Sequence, residues 1–166
     1  MSGSLTPDVV AVLRRPEHGC LLLITIGNPL RADDGAGPAL ASLVSGGDGL
    51  IVVDAGNSPE EIPFFAEGTD AGRIVIFDAA DFAGTAGEVR VIPHDLVPGH
   101  SLSSHAIGPA VIVRLLAKKA RVPVVFLGIQ AGCLDYREGL STEVDSSVRA
   151  IASFLREEYH ARASSG

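Results

Sequence analysis

Two adjacent carboxylates, Asp33 and Asp34, lie where a predicted strand is followed by a predicted helix. Residues 21–26 form an apolar run typical of a buried parallel strand, and apolar residues recur at helical spacing over 38–44. Ligands of open α/β sheets bind beyond the carboxyl ends of the strands, so this position suits a functional site. Either aspartate alone is explained as a helix cap, but one cap needs only one carboxylate. Because a helix N-terminus favours the ionised form, the pair indicates a metal ion.

Several common site motifs are absent from the sequence. The glycines near the aspartate pair lack the spacing of a dinucleotide-binding motif, and no Gly-Lys-Ser/Thr follows them. The chain also lacks the Gly-x-Ser-x-Gly motif of serine hydrolases and the His-Glu-x-x-His motif of helical zinc proteases. Cys20 and Cys133 have no metal-site spacing, and we interpret them as small apolar side chains rather than nucleophiles.

Another carboxylate and an imidazole complete a possible metal site. Asp78 ends the predicted strand 73–78 and is expected to share a crevice with the first aspartate pair, although a turn-forming role is the alternative. For Asp81, three residues later, the turn-forming role is the preferred interpretation. His105 follows a Ser-rich loop and precedes a predicted helix; a solvated histidine is the alternative there. Two carboxylates and one imidazole suit Zn²⁺, Ni²⁺ or a similar ion with open coordination positions.

The elements that must position these residues alternate between strand and helix. The predicted strands are 21–26, 50–54, 73–78, 88–92 and 122–129, and the predicted helices are 6–15, 38–44, 58–66, 107–117 and 144–158. This order predicts an α/β protein, a single-domain three-layer α/β/α sandwich with a mixed, mainly parallel sheet of about five strands. The link between 78 and 88 is too short for a crossover helix, so one strand is expected to be antiparallel. Residues 1–19 are predicted to be an N-terminal extension and residues 161–166 a frayed tail.

Length and charge limit the class of protein. A chain of 166 residues suits one domain. A net charge of −7, with no run of Lys or Arg longer than two, disfavours nucleic acid as a partner. No apolar run is long enough for a membrane-spanning helix, and the N-terminal residues lack a secretory signal pattern. We therefore expect a cytoplasmic protein without membrane insertion.

Six motifs occur in order over most of the chain. They are Gly-Asn-Pro-Leu-Arg-Ala-Asp-Asp-Gly-Ala-Gly-Pro at 27–38, Val-Asp-Ala-Gly-Asn-Ser-Pro-Glu at 53–60, Ile-Phe-Asp-Ala-Ala-Asp at 76–81, Ala-Gly-Glu-Val-Arg at 86–90, Ser-Ser-His at 103–105 and Phe-Leu-Gly-Ile-Gln at 126–130. Together they resemble the hydrogenase maturation endopeptidases. The first and last motifs are most similar to the branch that processes hydrogenases of the formate-hydrogenlyase and related group.

The resemblance implies an activity and a set of site residues. It implies an aspartic-type endopeptidase that activates a nickel-iron hydrogenase by removing a C-terminal extension from the large-subunit precursor after nickel insertion. It implies Asp34, Asp78 and His105 as metal ligands and Asp54 as a further site residue. Asp34 and Asp54 are the two candidates for the catalytic carboxylate that accepts a proton from water. The nickel is expected to come with the substrate, and zinc or cadmium is expected to fit the site in isolation. One departure from the branch is Ala106, where relatives often have Asn.

Two other functions compete with the protease at this stage. The same crevice could serve a non-catalytic checkpoint protein that binds nickel or the precursor while another protein cuts. Peptidyl-tRNA hydrolases also have a Gly-Asn-Pro turn after their first strand. Their basic groove is not matched here, where two aspartates occupy the region and the net charge is negative.

Overall fold

Five strands form a single mixed sheet in a computed structural model that describes residues 4–56, 58–99 and 108–160. The strands are β1 (Cys20–Ile26), β2 (Leu50–Gly56), β3 (Ala71–Ala80), β4 (Val89–Ile92) and β5 (Val124–Gln130). Their order across the sheet is β2-β1-β3-β5-β4. All neighbouring pairs are parallel except β4, which runs antiparallel to β5 at one edge. The predicted mixed sheet with one antiparallel strand is confirmed.

Helices cover both faces of this sheet, as predicted. They are α1 (Pro7–Leu13), α2 (Ala36–Leu43), α3 (Ile62–Ala66), α4 (Pro109–Lys119) and α5 (Thr142–His160), with short 3-10 turns at Ala32–Gly35, Pro59–Glu61 and His94–Leu96. Helices α1, α2 and α5 bury their apolar residues in one cluster, which we call the first core. Helices α3 and α4 bury theirs in a second cluster on the other face, the second core.

The central strands are apolar on both sides, so their residues divide between the two cores by alternation. Leu21 and Leu23 of β1 belong to the first core, whereas Leu22 and Ile24 belong to the second. This alternation follows from the pleat of a strand, which points successive side chains to opposite faces. Because both faces are covered by helices, functional side chains can reach solvent only where the strands end.

Two predicted helices differ from the observed ones at their first turns. The segment predicted as a helix over 58–66 is a 3-10 turn followed by the five-residue helix α3, which has Pro63 in its first turn. Helix α4 begins at Pro109 rather than at 107. Proline has no backbone N–H to donate within a helix, so it is accommodated where a helix begins.

The N-terminal helix contributes to the first core through Val9 and Leu13. The hydroxyl of Tyr159 in α5 donates a 2.9 Å hydrogen bond to the carbonyl oxygen of Leu13, which ties α1 to α5. The predicted frayed tail at 161–166 lies outside the described residues. No helix within the described ranges is long and apolar enough to cross a membrane.

Close contact between α2 and β1 is possible because residue 37 is glycine. A Cβ atom on Gly37 would lie 2.1 Å from the carbonyl oxygen of Ile26, far inside van der Waals contact. Gly37→Ala is therefore expected to destabilise the fold by about 3 kcal/mol or more, measured by chemical denaturation. Gly99→Ala is the control, because a Cβ there would meet no atom of the described residues within 4 Å. Equal stability of the two variants would contradict this reading of the contact.

Candidate active site

The aspartate pair lies in the 3-10 turn Ala32–Gly35, between β1 and α2, rather than at a helix cap. Helix α2 has Gly35 as its N-cap residue and no capping side chain, so the cap interpretation is wrong for both aspartates. Ala32 has a left-handed backbone with φ of 47°, and its N–H donates to the carbonyl oxygen of Arg137 at 2.8 Å. A left-handed alanine is strained, and this contact with a distant loop holds it in place.

Asp33 is fully buried and organises the loop that follows β5. Its Oδ2 accepts hydrogen bonds from the N–H groups of Gly132 and Cys133, both at 2.8 Å, and from the Ser141 hydroxyl at 2.9 Å. Its Oδ1 accepts a fourth bond from the Ser141 N–H at 2.7 Å. Four donors satisfy a buried carboxylate, so Asp33 is a structural clamp and Asp34 is the member of the pair left to face the crevice.

Asp34 and Asp78 are brought together at the carboxyl ends of β1 and β3, as predicted. Both are buried, with exposed fractions of 1% and 3%. The pKa of Asp78 lies well above its usual range. Burial is the larger cause, and the negative charge of Asp34 is the second. No described group hydrogen-bonds to Oδ1 of Asp78. Oδ2 of Asp34 accepts a hydrogen bond from the Asn28 N–H at 3.2 Å. A cation bound by both carboxylates would offset the repulsion between them.

The third predicted ligand cannot be placed. His105 belongs to residues 100–107, which lie outside the described ranges. Among the described residues, no group of three His, Cys, Asp or Glu side chains is arranged to hold a metal ion. The structure thus joins Asp34 with Asp78, and the assignment of His105 stays a prediction.

Asp54 lies on the opposite face of the sheet from Asp78. It is an exposed residue near the end of β2, and its Oδ1 accepts hydrogen bonds from the Thr25 hydroxyl at 3.0 Å and from the N–H two residues later at 2.9 Å. Asp54 lies two residues after Val52, so both belong to the sheet face that packs against the first core. Asp78 lies two residues after Ile76, so both belong to the face of the second core. Its observed contacts join the ends of β1 and β2, and its catalytic role stays a prediction.

Gln130, at the carboxyl end of β5, shapes the loop that follows Asp78 and was not singled out from the sequence. Its side-chain oxygen accepts hydrogen bonds from the N–H groups of Phe82 at 2.9 Å and Gly84 at 3.0 Å. Its amide nitrogen donates to Oδ1 of Asp81 at 3.2 Å. Oδ1 of Asp81 also accepts the Ala83 N–H at 3.0 Å, which confirms Asp81 as the turn residue. A polar residue at the end of an apolar strand was the available signal for Gln130.

Asp33→Asn is expected to destabilise the protein by about 3 kcal/mol or more, because the amide cannot accept all four hydrogen bonds. The midpoint of thermal unfolding, followed by circular dichroism, should fall by roughly 6–12 °C. Asp135→Asn is the matched control, since Asp135 is an exposed residue of the loop that Asp33 holds. A similar midpoint for both variants would show that the clamp contributes little.

Asp78→Asn is expected to have the opposite effect and stabilise the metal-free protein at neutral pH. The pKa of Asp78 is raised in the folded state, so ionising this carboxyl lowers the free energy of unfolding. The loss begins as the pH rises above the unfolded-state pKa and stays constant once the pH is above the folded-state pKa. The thermal midpoint should rise by about 2–6 °C near pH 7.5 and by less near pH 5. Asp81→Asn should give no such gain, because hydrogen bonds lower the pKa of that carboxyl. A loss of stability in Asp78→Asn at neutral pH would refute this account.

Comparison with known proteins agrees with the resemblance in the motifs. The sequence model of the HycI family, described as hydrogenase maturation protease, matches residues 40–158. The chain is 28% identical over 133 residues to the hydrogenase 3 maturation protease of Escherichia coli K12, covering 78% of this chain and 85% of the relative. It is 31% identical over 147 residues to a putative hydrogenase maturation protease of Methanocaldococcus jannaschii, covering 82% of this chain and 95% of the relative.

Solved structures agree with the predicted fold. A crystal structure of the hydrogenase 3 maturation protease matches with a TM-score of 0.72 at 26% identity, over 84% of this chain and 91% of that chain. The [NiFe] hydrogenase maturation protease HycI from Thermococcus kodakarensis KOD1 matches with a TM-score of 0.73 at 21% identity, over 90% and 99%, and shows the same fold. The family match spans well over half of the sequence. This chain therefore belongs to the HycI family of hydrogenase maturation proteases.

Proposed function

We propose that this protease removes the C-terminal extension from the precursor large subunit of a nickel-iron hydrogenase, in the cytoplasm, after nickel has been inserted. Its membership of the hydrogenase maturation proteases supports the reaction class. The observation that carries the site assignment is the buried pair Asp34 and Asp78 near the ends of neighbouring strands. Oδ1 of Asp78 accepts no hydrogen bond from any described group.

In this proposal the nickel belongs to the substrate. Asp34 and Asp78, with His105 as a third ligand, complete the coordination of an ion that cysteines of the precursor already hold. Without that ion, two mutually repelling buried carboxylates face the precursor, which disfavours binding. This arrangement makes cleavage depend on nickel. Zinc or cadmium is a chemically reasonable occupant of the same ligands in the isolated protein.

Hydrolysis also needs a group that accepts a proton from the attacking water. The substrate's metal ion would polarise the scissile carbonyl or lower the pKa of the water. Asp34 and Asp54 are the candidate acceptors. Asp34 lies beside Asp78 in the crevice, whereas Asp54 is hydrogen-bonded to Thr25 near the end of the neighbouring strand β2. Position therefore favours Asp34 as the proton acceptor, and we assign Asp54 to holding the strand ends.

The test is to incubate the purified protein with nickel-loaded and with nickel-free cognate precursor and to score removal of the extension by mass spectrometry. We expect cleavage of the loaded precursor only. Asp34→Ala, Asp78→Asn and His105→Ala should each reduce its rate by at least about 100-fold, because each removes a ligand to the substrate's ion.

The matched control for these variants is Asp81→Asn, which changes an exposed carboxylate three residues after Asp78 and should leave cleavage unchanged. Circular dichroism of each variant checks that it is folded. Failure of the wild-type protein to cleave an authenticated loaded precursor would support a checkpoint protein that binds without cutting. Normal cleavage by a folded Asp34→Ala variant would overturn the ligand assignment.

A further inference from the structure

Two large side chains, Leu30 and Tyr136, are exposed on neighbouring segments beside the candidate active site. Their exposed fractions are 56% and 86%. Arg31 forms an isolated parallel β-bridge with Arg137, so the residues that precede them, Leu30 and Tyr136, are neighbours across the bridge. The Arg31 guanidinium also lies over the Tyr136 ring, 5.4 Å from its centre. Single exposed apolar side chains are common, whereas adjacent ones offer a partner a continuous surface to cover. We call Leu30 and Tyr136 the apolar patch.

A small cavity opens on the same turn as the patch. It has a volume of about 260 Å³ and lies between the turn after β1, helix α2 and the end of the loop that carries Tyr136. Its lining is mostly apolar and includes Pro29, Ala32, Gly35, Pro38, Ala39 and Leu140. A space of this size accepts one apolar side chain of a partner, and pockets filled in this way anchor protein interfaces.

The patch borders the crevice that holds Asp34. The N–H of Asn28 donates to Oδ2 of Asp34 at 3.2 Å. Leu30 follows Asn28 by two residues, a length of chain that spans at most about 7 Å. The turn is closed at its other end as well, because the Asp34 N–H donates to the carbonyl oxygen of Arg31 at 3.1 Å. A protein that brings a peptide bond to Asp34 therefore comes into contact with Leu30.

Hydrogen bonds hold both parts of the patch in place. The N–H of Leu30 donates to the side-chain oxygen of Asn28 at 3.0 Å. The loop that carries Tyr136 is fixed on both sides by its donors to the buried Asp33 carboxylate. A surface that is ordered before binding loses little conformational entropy in the complex, so its apolar contacts contribute more fully to affinity.

We infer that the apolar patch and the adjoining cavity dock the folded body of the precursor large subunit, the part that carries the nickel. This inference rests on the proposed function. A specific protein complex buries about 1,200–2,000 Å² of surface. Asp34 and Asp78 are only 1% and 3% exposed, so nearly all of that area must come from the surface around the crevice. The body surrounds the nickel and faces this surface, whereas the extension is a single chain that leads away from the scissile bond.

The site defines the chemistry of the surface that it recognises. The partner needs an apolar centre to cover the patch and one protruding apolar side chain to enter the cavity. Its margin needs polar groups, because exposed charged residues border Tyr136 in the chain: Asp135, Arg137 and Glu138. An apolar centre with a polar rim is the usual arrangement of interfaces between folded proteins.

The double variant Leu30→Ala with Tyr136→Ala tests the docking surface. We expect kcat/KM for nickel-loaded precursor to fall at least about tenfold, mainly through a higher KM, because both anchors are lost while the Asp34 and Asp78 ligands remain. Circular dichroism checks that the variant is folded. A fall in kcat at unchanged KM would contradict docking by these side chains.

The matched control is Phe64→Ala with Leu115→Ala, which also truncates one exposed aromatic and one exposed leucine. Their chain neighbours Pro63 and Leu116 line a cavity with Ala71, at the start of β3 and thus at the opposite end of that strand from the site. Wild-type kcat/KM is expected for the control. Equal kcat/KM in the two double variants, with wild-type cleavage intact, would overturn the docking inference and leave the proposed function standing.

A second measurement reports contact and does not depend on cleavage. A photoreactive benzophenone side chain replaces Tyr136, the protein is irradiated with nickel-loaded precursor, and cross-linked peptides are identified by mass spectrometry. We expect cross-links to the folded body of the large subunit, and at least about tenfold fewer when Phe64 is replaced in the same way. Cross-links from the Tyr136 site to the extension alone or to a second copy of the protease, or no cross-links, would contradict the inference.

Discussion

Burial of two like charges at adjacent strand ends is the constraint on which the rest of the site depends. Asp34 lies in the turn that follows β1, and Asp78 lies two residues before the end of β3. Both are inside a protein whose two cores exclude water on both faces of the sheet. Keeping them there is unfavourable for the empty protein, since burial and mutual repulsion both oppose ionisation of Asp78. The fold holds the pair in place through the packing of its central strands.

The adjacent residues Asp33 and Asp34 make different contacts at this site. Asp33 has four hydrogen-bond donors around it and is fully committed to the loop after β5. Asp34, the next residue, lies beside Asp78. Gly27 allows this turn to form, because its φ of 150° and the 2.0 Å approach that a Cβ would make to the Asp34 carbonyl oxygen both require glycine. The motif at 27–38 thus carries a structural clamp and the proposed ligand Asp34 on one tight turn.

Much of the fold and part of the site followed from the sequence. Continuous apolar runs such as Leu21–Ile26 are typical of strands covered on both faces, and the short link before β4 required an antiparallel strand; both predictions are confirmed. The proximity of Asp34 and Asp78 followed from the rule that parallel strands end at one edge. The clamp by Asp33 could not be predicted, because its partners lie about a hundred positions away and are mostly backbone groups. Similarly, the placement of Asp54 and Asp78 on opposite faces of the sheet depends on which residues of β2 and β3 face each core, which the sequence alone does not give.

The distance along the chain between Asp33 and its partners has a consequence for how the protein is made. The donors lie 99, 100 and 108 residues later in the chain, at Gly132, Cys133 and Ser141. A ribosome adds about 5–20 residues per second, so several seconds pass before these donors exist and Asp33 acquires its partners. Contacts of such long sequence separation form late in folding as well. The turn that carries Asp34 therefore reaches its final form only after most of the polypeptide has been synthesised, which keeps incomplete chains from presenting an assembled site.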